Sequence, residues 1–486
     1  MLETGKITGR PAAEAAPLVL CVDLDGTLVR SDTLVDSLAS GARNWRIWRA
    51  LLSVFKSRAA FKRKVAELEP VDAASLPYNA ALLEYLRAEK GRGRMLVLAT
   101  AADAKTADAV AAHLGLFDAV VASDGVRNLK GARKADALAE RFGERGFAYA
   151  GNDRSDLAVW RRSGGAVIVH AGRSLAAKAA KAAPVERHFP HTGSRLRAVL
   201  KALRPYQWVK NFLVLVPVAT AHALNDASAW ISAGWTFAAF CSTASAIYII
   251  NDLSDLKADR LHARKRQRPF ASGALSVPAG LTMTLILLIA GAFFAARSGA
   301  AAWVALYGVS SLSYSLFLKE FPLVDVFVLA GLYTLRVFAG GEATGHLVSL
   351  WLLGFSTFFF LSLALVKRVS EMMTMRSAGR VARRGYEAAD VPVLQAMGVA
   401  SAFTAIVILA LFVQGEAIPM HYASPELLWL IVPLMLFWLC RIWLSTARGY
   451  MHDDPIIYAA KDWVSWLVSI AVFGTLAAAK DFPLGG

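Results

Sequence analysis

The hydrophobic pattern changes character near residue 200. Before that point apolar residues come in short runs: 18–22, 95–99, 119–122, 147–150 and 166–169, separated by longer stretches of helical periodicity. Short apolar runs bounded by polar segments read as buried strands, and strands alternating with helices predict a parallel, doubly wound α/β sheet. Beyond residue 200 the apolar stretches lengthen to about 20 residues, enough to cross a bilayer as a helix. They lie at 208–224, 229–250, 275–297, 299–318, 324–343, 348–366, 397–415, 427–447 and 462–479. An all-α polytopic bundle of about nine membrane helices is expected.

This divides the chain into a leader at 1–16, an α/β domain at 17–172, a connecting segment at 173–203 and a membrane domain at 204–486. The leader is rich in Ala, Pro and Gly, lacks the apolar core of a signal peptide and is expected to be disordered. The connecting segment is rich in Ala, Lys and Arg; it reads as a basic amphipathic linker at the membrane surface, or as a plain solvated helix.

Composition sharpens the picture. Of 486 residues, 56% are hydrophobic and 19% charged, which excludes an ordinary soluble enzyme, yet Lys+Arg outnumber Asp+Glu by 53 to 37, a net charge of +16. The loop at 251–274 carries Lys257, Arg260, Arg264, Lys265, Arg266 and Arg268. The loop at 367–396 carries Lys367, Arg368, Arg376, Arg380, Arg383 and Arg384. The opposite loops at 224–229 and 416–426 carry no Lys or Arg. That asymmetry predicts that the N-terminal domain and both basic loops face the cytoplasm, in an inner or plasma membrane. Cys21, Cys241 and Cys440 lie too far apart in sequence to form a disulfide framework or a Cys-x-x-Cys pair.

In the first domain the run ending at Val22 is followed by Asp23-Leu-Asp25-Gly-Thr. Thr100 follows the second run, Lys130 and Lys134 come before the fourth, and Gly151-Asn152-x-x-x-Asp156 follows the fourth. In a doubly wound sheet such positions gather at the carboxyl ends of the strands, where ligands bind. This ordered set resembles the haloacid-dehalogenase (HAD) superfamily of phosphatases over residues 17–172. The resemblance implies Asp23 as nucleophile, Asp25 as general acid and base, and Thr100 with Lys134 or Lys130 holding the phosphoryl group. It also implies Mg²⁺ at Asp23, Asp25, Asn152 and Asp156, and a small helical cap between the first two motifs. Asn152 stands where many members carry Asp, which bears on activity rather than fold.

In the membrane domain, Asn251, Asp255 and Asp259 recur every fourth residue, with Asp252 beside them. On a continuous helix the three share one face, and clustered oxygen ligands suit Mg²⁺ bridging carboxylates to phosphates. The basic run 264–268 follows directly. Asn251-Asp252-x-x-Asp255-x-x-x-Asp259 resembles the first aspartate motif of the UbiA superfamily of intramembrane prenyltransferases. The segments Arg204-Pro205-x-Gln207-Trp208-x-Lys210-Asn211, Asp259-Arg260-x-His262-x-x-Lys265-Arg266-x-Arg268-Pro269, Tyr314-Ser315-x-x-x-Lys319 with Asp325, and Leu335-Arg336 narrow it to the polyprenyl-phosphate phosphoribosyltransferases, of the decaprenyl-phosphate type. A second Asp-x-x-x-Asp cluster, which aromatic prenyltransferases use, is replaced by Lys319, Glu320 and a single Asp325.

What the resemblance implies is phosphoribosyl diphosphate (PRPP) held through Mg²⁺ at Asn251, Asp252, Asp255 and Asp259, with Asp255 and Asp259 catalytic. A polyprenyl phosphate would be the acceptor. Lys210, Asn211, Lys257, Arg260, Lys265, Arg266, Arg268, Tyr314, Lys319, Asp325, Lys367 and Arg368 are the candidate substrate-binding residues. Arg336, inside a span, is a further candidate; it either holds a phosphate or pairs with Asp325 or Glu371. Tyr386 offers a hydroxyl, and His452-Asp453-Asp454-Pro455 is similar to the family's acidic tail segment.

Joined, the halves predict a bifunctional Mg-dependent enzyme. It would transfer 5-phosphoribosyl from PRPP to a polyprenyl phosphate and then remove the 5-phosphate, giving a ribosyl donor for cell-envelope polysaccharide. An ordinary UbiA prenyltransferase acting on a small acceptor is the alternative, and a lipid-binding or flipping module with an inactive HAD domain is the third reading. The implied partners are PRPP, polyprenyl phosphate and membrane lipid. Nothing points to nucleic acid, and a homo-oligomer stays open.

Overall fold

The computed structural model of the chain describes all residues except 1–17, 42–43, 52–56, 192, 222, 224, 347, 378–384, 416–421, 452–453 and 482–486. The expected leader, Arg380, Arg383 and Arg384 of the basic loop, part of the cation-free loop at 416–426, His452 and Asp453 thus lie outside the described residues. The chain forms two compact units. The first is Met1–Val199 together with Asp252–Gly280; the second is Leu200–Asn251 with Leu281–Gly486.

The first unit is built on six parallel strands: β1 (Val19–Val22), β2 (Leu96–Asp103), β3 (Ala119–Ser123), β4 (Phe147–Gly151), β5 (Gly165–Val169) and β6 (Val185–Phe189). Their order is β3-β2-β1-β4-β5-β6, with Cys21 opposite both Val97 and Tyr149 in register. Helices cover both faces, so the strands bury side chains on each side. Leu20, Val22, Leu96 and Leu98 join one apolar cluster, while Cys21, Val97, Tyr149 and Trp160 join the other.

The expected doubly wound sheet is therefore present, and it runs further than the predicted boundary at 172. The segment expected as a basic linker supplies a helix, Arg173–Ala182, then β6, then a second helix, Arg195–Leu203. β6 reads Val-Glu-Arg-His-Phe and is exposed over its first four residues, so the apolar signal of a strand is missing. Between β1 and β2 lie helices Thr33–Ser40, Trp45–Leu51 and Arg58–Leu68, the expected helical insertion.

In the second unit and its flanks, seven helices among the described residues are long and apolar enough to cross a membrane: Ala227–Ser254, Val277–Ser298, Val324–Thr344, Leu350–Thr374, Ala388–Val413, Pro425–Ala447 and Trp463–Lys480. Two expected spans form shorter elements. Residues 205–220 fold as a 3₁₀ segment, Pro205–Leu215, followed by Val216–Thr220, with prolines at both starts. Ala301–Leu316 is a helix of 16 residues. The 3₁₀ segment packs closely on the inner helix Val324–Thr344: a Cβ at Gly340 would sit 2.0 Å from the Val214 carbonyl oxygen. That approach seats Lys210, Asn211 and Val214, all buried, in the bundle.

Candidate active sites

β1 lies between β2 and β4, where the chain's strand order switches direction, and Asp23 follows it directly. The Asp23 N–H donates to the Ala150 carbonyl at 2.9 Å, which ties the β1 and β4 ends together. Lys134, on the helix Ala132–Phe142, is buried and donates to Asp23 Oδ1 at 2.7 Å and to the Tyr149 hydroxyl at 2.7 Å. Of the two candidate lysines, Lys134 is the one on Asp23; Lys130 is exposed.

Asp156 is engaged by three donors. Its Oδ2 accepts from the Asn152 and Asp153 N–H groups, both at 2.9 Å, and its Oδ1 from the Tyr149 hydroxyl at 2.9 Å. It shapes the loop after β4 rather than presenting free oxygens. Asn152 Oδ1 accepts from the Thr27 hydroxyl at 3.0 Å. Thr100 is buried on β2, where its Oγ1 accepts from the Ala102 N–H.

Asp25 accepts from the Thr33 N–H at 2.8 Å. It lines a cavity of about 50 Å³ together with Asp32, Thr33, Lys62, Asp103 and Thr106. Lys62 went unnoticed in the sequence, where it is one of four cations on the helix Arg58–Leu68. Its Nζ donates to the Ala101 carbonyl at 2.6 Å and to Asn128 Oδ1 at 3.1 Å, at the mouth of the β2 end. Burial lowers the Lys62 pKa, opposed by the charges of Asp25 and Asp32.

Burial also dominates the two carboxyls. It raises Asp23 to about 6, although Lys134 pulls the other way. It raises Asp25 to about 7, with the charge of Asp32 adding to the rise. Burial works against the Lys134 charge as well, but Asp23 and Asp156 more than offset it and its pKa is raised. Among the described residues no three His, Cys, Asp or Glu side chains form a ready metal cluster. The desolvated Asp23 and Asp25 nonetheless form a donor set whose burial a cation would relieve, so the cleft fits Mg²⁺ through these two with Asn152.

The aspartate segment departs from one continuous face. The helix Ala227–Ser254 ends and a short helix, Leu256–Leu261, starts with Asp255 as its cap. In the first unit it is Asp252 and Asp259, seven residues apart, that converge: Arg268 Nη1 lies 3.0 Å from Asp252 Oδ1 and 2.6 Å from Asp259 Oδ2. One guanidinium thus bridges two carboxylates, the position a cation would take. Burial raises the Asp259 pKa against the pull of Arg268.

Arg260, expected on substrate, pairs instead with Asp36, Nη1 to Oδ2 at 2.8 Å. Lys257, Lys265 and Arg266 are exposed.

In the second unit Lys319 Nζ reaches Asn251 Oδ1 at 3.5 Å. Asp325 is fully buried; it pairs with Arg368 and accepts from the Tyr386 hydroxyl at 2.5 Å, while Arg368 also pairs with Glu371 at 2.5 Å. Neither expected partner of Arg336 is therefore its partner, because Arg368 takes both. Arg336 donates instead to Asn211 Oδ1 at 2.8 Å, to the Tyr307 hydroxyl at 3.1 Å and to the Leu332 carbonyl. Lys210 Nζ lies 2.7 Å and Lys367 Nζ 3.5 Å from Asp454 Oδ2, and Tyr333 donates to the same carboxylate at 3.0 Å. Lys210 and Arg336 sit over the one Tyr333 ring, each 5.7 Å from its centroid. Tyr314 is half-buried against the apolar core. Tyr307 and Tyr333 were not signalled in sequence, where tyrosines in spans look like packing.

The chain is 39% identical over 464 residues to an uncharacterized protein, y4nM, of Sinorhizobium fredii, covering 94% of this chain and 90% of that one. It is 30% identical over 298 residues to a decaprenyl-phosphate phosphoribosyltransferase of Mycolicibacterium smegmatis, covering 58% of this chain and 92% of that one. Among solved structures, a UbiA homolog from Archaeoglobus fulgidus bound to GPP and Mg²⁺ aligns with 58% of this chain and 99% of its own, at 18% identity and a TM-score of 0.46. A HAD family hydrolase from Salmonella enterica aligns with 35% of this chain and 66% of its own, at 13% identity and a TM-score of 0.27. The profile of the UbiA prenyltransferase family matches residues 212–465, just over half of the chain. Those residues contain the seven apolar helices in whole or part and the Lys210, Arg336 and Asp454 cluster at their edge or within them; the chain is an integral membrane protein and belongs to the UbiA prenyltransferase family.

Proposed function

We propose that the protein is a bifunctional polyprenyl-phosphate phosphoribosyltransferase and phosphatase, acting on the cytoplasmic side of the membrane. The observation that carries the transferase half is the gathering in a UbiA bundle of Lys210 and Lys367 on one carboxylate, Asp454, with buried Arg336 reaching the same Tyr333 ring as Lys210 and hydrogen-bonded only to neutral acceptors. Buried charges are tolerated only when paired, so an excess of cations favours a phosphate-bearing ligand. The relatives named for decaprenyl-phosphate phosphoribosyl transfer support the acceptor and the donor. Asn251, Asp252, Asp255 and Asp259 would hold Mg²⁺ on the diphosphate of PRPP, supplying charge for the departing diphosphate.

In the first unit the arrangement suits phosphomonoester hydrolysis of the HAD type. Asp23 is placed to attack phosphorus, forming an aspartyl phosphate as the bond to the ribose 5-oxygen breaks. Asp25 gives that oxygen its proton, then takes one from the water that hydrolyses the aspartyl phosphate. A carboxyl near pH 7 is suited to both roles. Lys134 keeps Asp23 ionised and aimed, and Lys62 and Thr100 offer charge and a hydroxyl to the phosphoryl oxygens. Mg²⁺ held by Asp23, Asp25 and Asn152 would balance the charge of the phosphate dianion.

The test supplies purified full-length protein with labelled PRPP and a polyprenyl phosphate and reads the lipid by mass spectrometry. Wild type should yield polyprenyl-phosphoryl ribose, and Asp23→Asn should accumulate the form still carrying the 5-phosphate. Incorporation of label only from a prenyl diphosphate would instead establish prenyl transfer. Equal products from wild type and Asp23→Asn would remove the phosphatase half.

A further inference from the structure

Arg260 is the most deeply buried cation of the segment Asp252–Gly280 to pair outside that segment. Its side chain is 6% exposed and that of its partner Asp36 is 7% exposed. Arg260 Nε donates to the Ala271 carbonyl at 3.3 Å, and its Nη2 is buried with no hydrogen-bond partner in the described structure. Such a pair is fixed in place, because removing either partner strands the other charge. The segment is also pressed close: a Cβ on Gly273 would lie 2.7 Å from Arg30 Cβ.

Each end of this pair leads directly to a reacting group. On one side Arg260 follows Asp259, whose carboxylate shares Arg268 with Asp252. On the other, Asp36 accepts from the Ser31 hydroxyl at 2.5 Å and lies on the helix Thr33–Ser40. The first N–H of that helix, Thr33, is the donor that holds Asp25. A shift of the short helix Leu256–Leu261 therefore moves Asp36, the helix start and the Asp25 donor as one piece.

We infer that Arg260 is a positioning residue that couples the occupancy of the Asp252 and Asp259 carboxylates to the placement of Asp25 in the phosphatase cleft. The inference rests on the function proposed above and adds regulation to it. A ligand that draws Asp252 and Asp259 off Arg268 would re-seat Arg260 and, through Asp36, the acid of the phosphatase. The 5-phosphate would then be removed in step with release of diphosphate.

The test uses full-length protein in detergent with magnesium diphosphate as the probe. Hydrogen exchange of peptides over 31–40 and 252–259 is followed alongside hydrolysis of p-nitrophenyl phosphate. In wild type, saturating magnesium diphosphate should change exchange over 31–40 and the hydrolysis rate by about fivefold or more, the lower range of measured couplings. Arg260→Gln and Asp36→Asn should abolish that response, and Arg260→Lys should restore part of it. Asp252→Asn, which removes one of the two carboxylate charges on Arg268 Nη1, should change exchange over 31–40 with no ligand present. A response at 252–259 with none at 31–40, or a full response in Arg260→Gln, overturns the coupling. No response at 252–259 removes the diphosphate site itself, and a silent 31–40 in Asp252→Asn then removes the coupling too.

Discussion

Asp25 imposes a stability cost that pH can expose. Its folded pKa of about 7 lies above the ordinary 3.8 because burial and Asp32 disfavour the charged form. Between those values the folded state binds more protons than the unfolded one, so stability falls as pH rises through that window and is level on either side of it. The interval of roughly three units corresponds to about 4 kcal/mol at 1.36 kcal/mol per unit. Asp25 is only half-buried and borders a cavity, so solvent screening brings this nearer to about 2 kcal/mol. Asp25→Asn keeps an oxygen for the Thr33 N–H and removes the charge. The variant should match wild type near pH 4 and exceed it by about 2 kcal/mol above pH 7. The remaining slope comes from Asp23, whose own rise to about 6 acts in the same direction. Hydrogen exchange of the β1 and β4 amides in the full-length protein, corrected for intrinsic rates from pH 5 to 8, reads this difference. A variant less stable than wild type at pH 8, or one with an unchanged slope, would refute the reasoning.

Other substitutions separate the two units. Lys134→Met leaves Asp23 buried without its cation, so p-nitrophenyl phosphate hydrolysis should fall by at least about a hundredfold and the first unit lose about 3–5 kcal/mol. Gly26→Ala puts a Cβ 2.2 Å from Asn152 Nδ2 at a φ of +76°. It should displace Asn152 from Thr27, cost about 1–3 kcal/mol and lower phosphatase turnover while lipid ribosylation continues. Asp454→Asn strands Lys210 and Lys367 on a neutral partner, and its effect should appear as a changed KM for polyprenyl phosphate with phosphatase turnover unaltered. Tyr307→Phe removes one of the acceptors of Arg336 and should lower transferase kcat/KM by roughly tenfold, the worth of one hydrogen bond to a charged group.

The sheet was legible because five of its strands announce themselves as apolar runs, four of them buried over nearly their whole length. β6 was not, since an edge strand with exposed side chains has no such run. Asp23 and Asp25 were legible from their place after the first strand, whereas Thr100, read as following the second, lies within β2, which runs on to Asp103. Lys62 was not legible, because its position depends on how the helical insertion folds back over β2. The aspartate spacing was read as one helical face, but the break at Asp255 shifted the convergence to Asp252 and Asp259, which still stack at two-turn spacing. Seven of the expected spans form long apolar helices among the described residues, while those at 205–220 and 301–316 form shorter elements, where proline and length intervene. Hydropathy alone registers neither a 3₁₀ turn nor where a helix ends.

The net charge of +16 looked like a pool of cations awaiting phosphate. The structure divides that pool by burial. Arg368 is committed to Asp325 and Glu371, Arg260 to Asp36, and Arg268 to Asp252 and Asp259. Lys257, Lys265 and Arg266 are exposed, where an ion pair is worth little and a polyanion is bound only by long-range attraction. Arg336 and Lys210 differ from both groups: both are buried against one tyrosine ring, Arg336 hydrogen-bonds only to the neutral Asn211, Tyr307 and Leu332 acceptors, and Lys210 shares its carboxylate, Asp454, with Lys367. A cation in that setting gains most from a phosphate, because desolvation strengthens attraction to the ligand while water competes least. Truncating Lys210 or Arg336 should therefore cost far more transferase activity than truncating Lys257, Lys265 or Arg266. Salt should weaken the contribution of the exposed residues and leave that of the buried ones nearly unchanged.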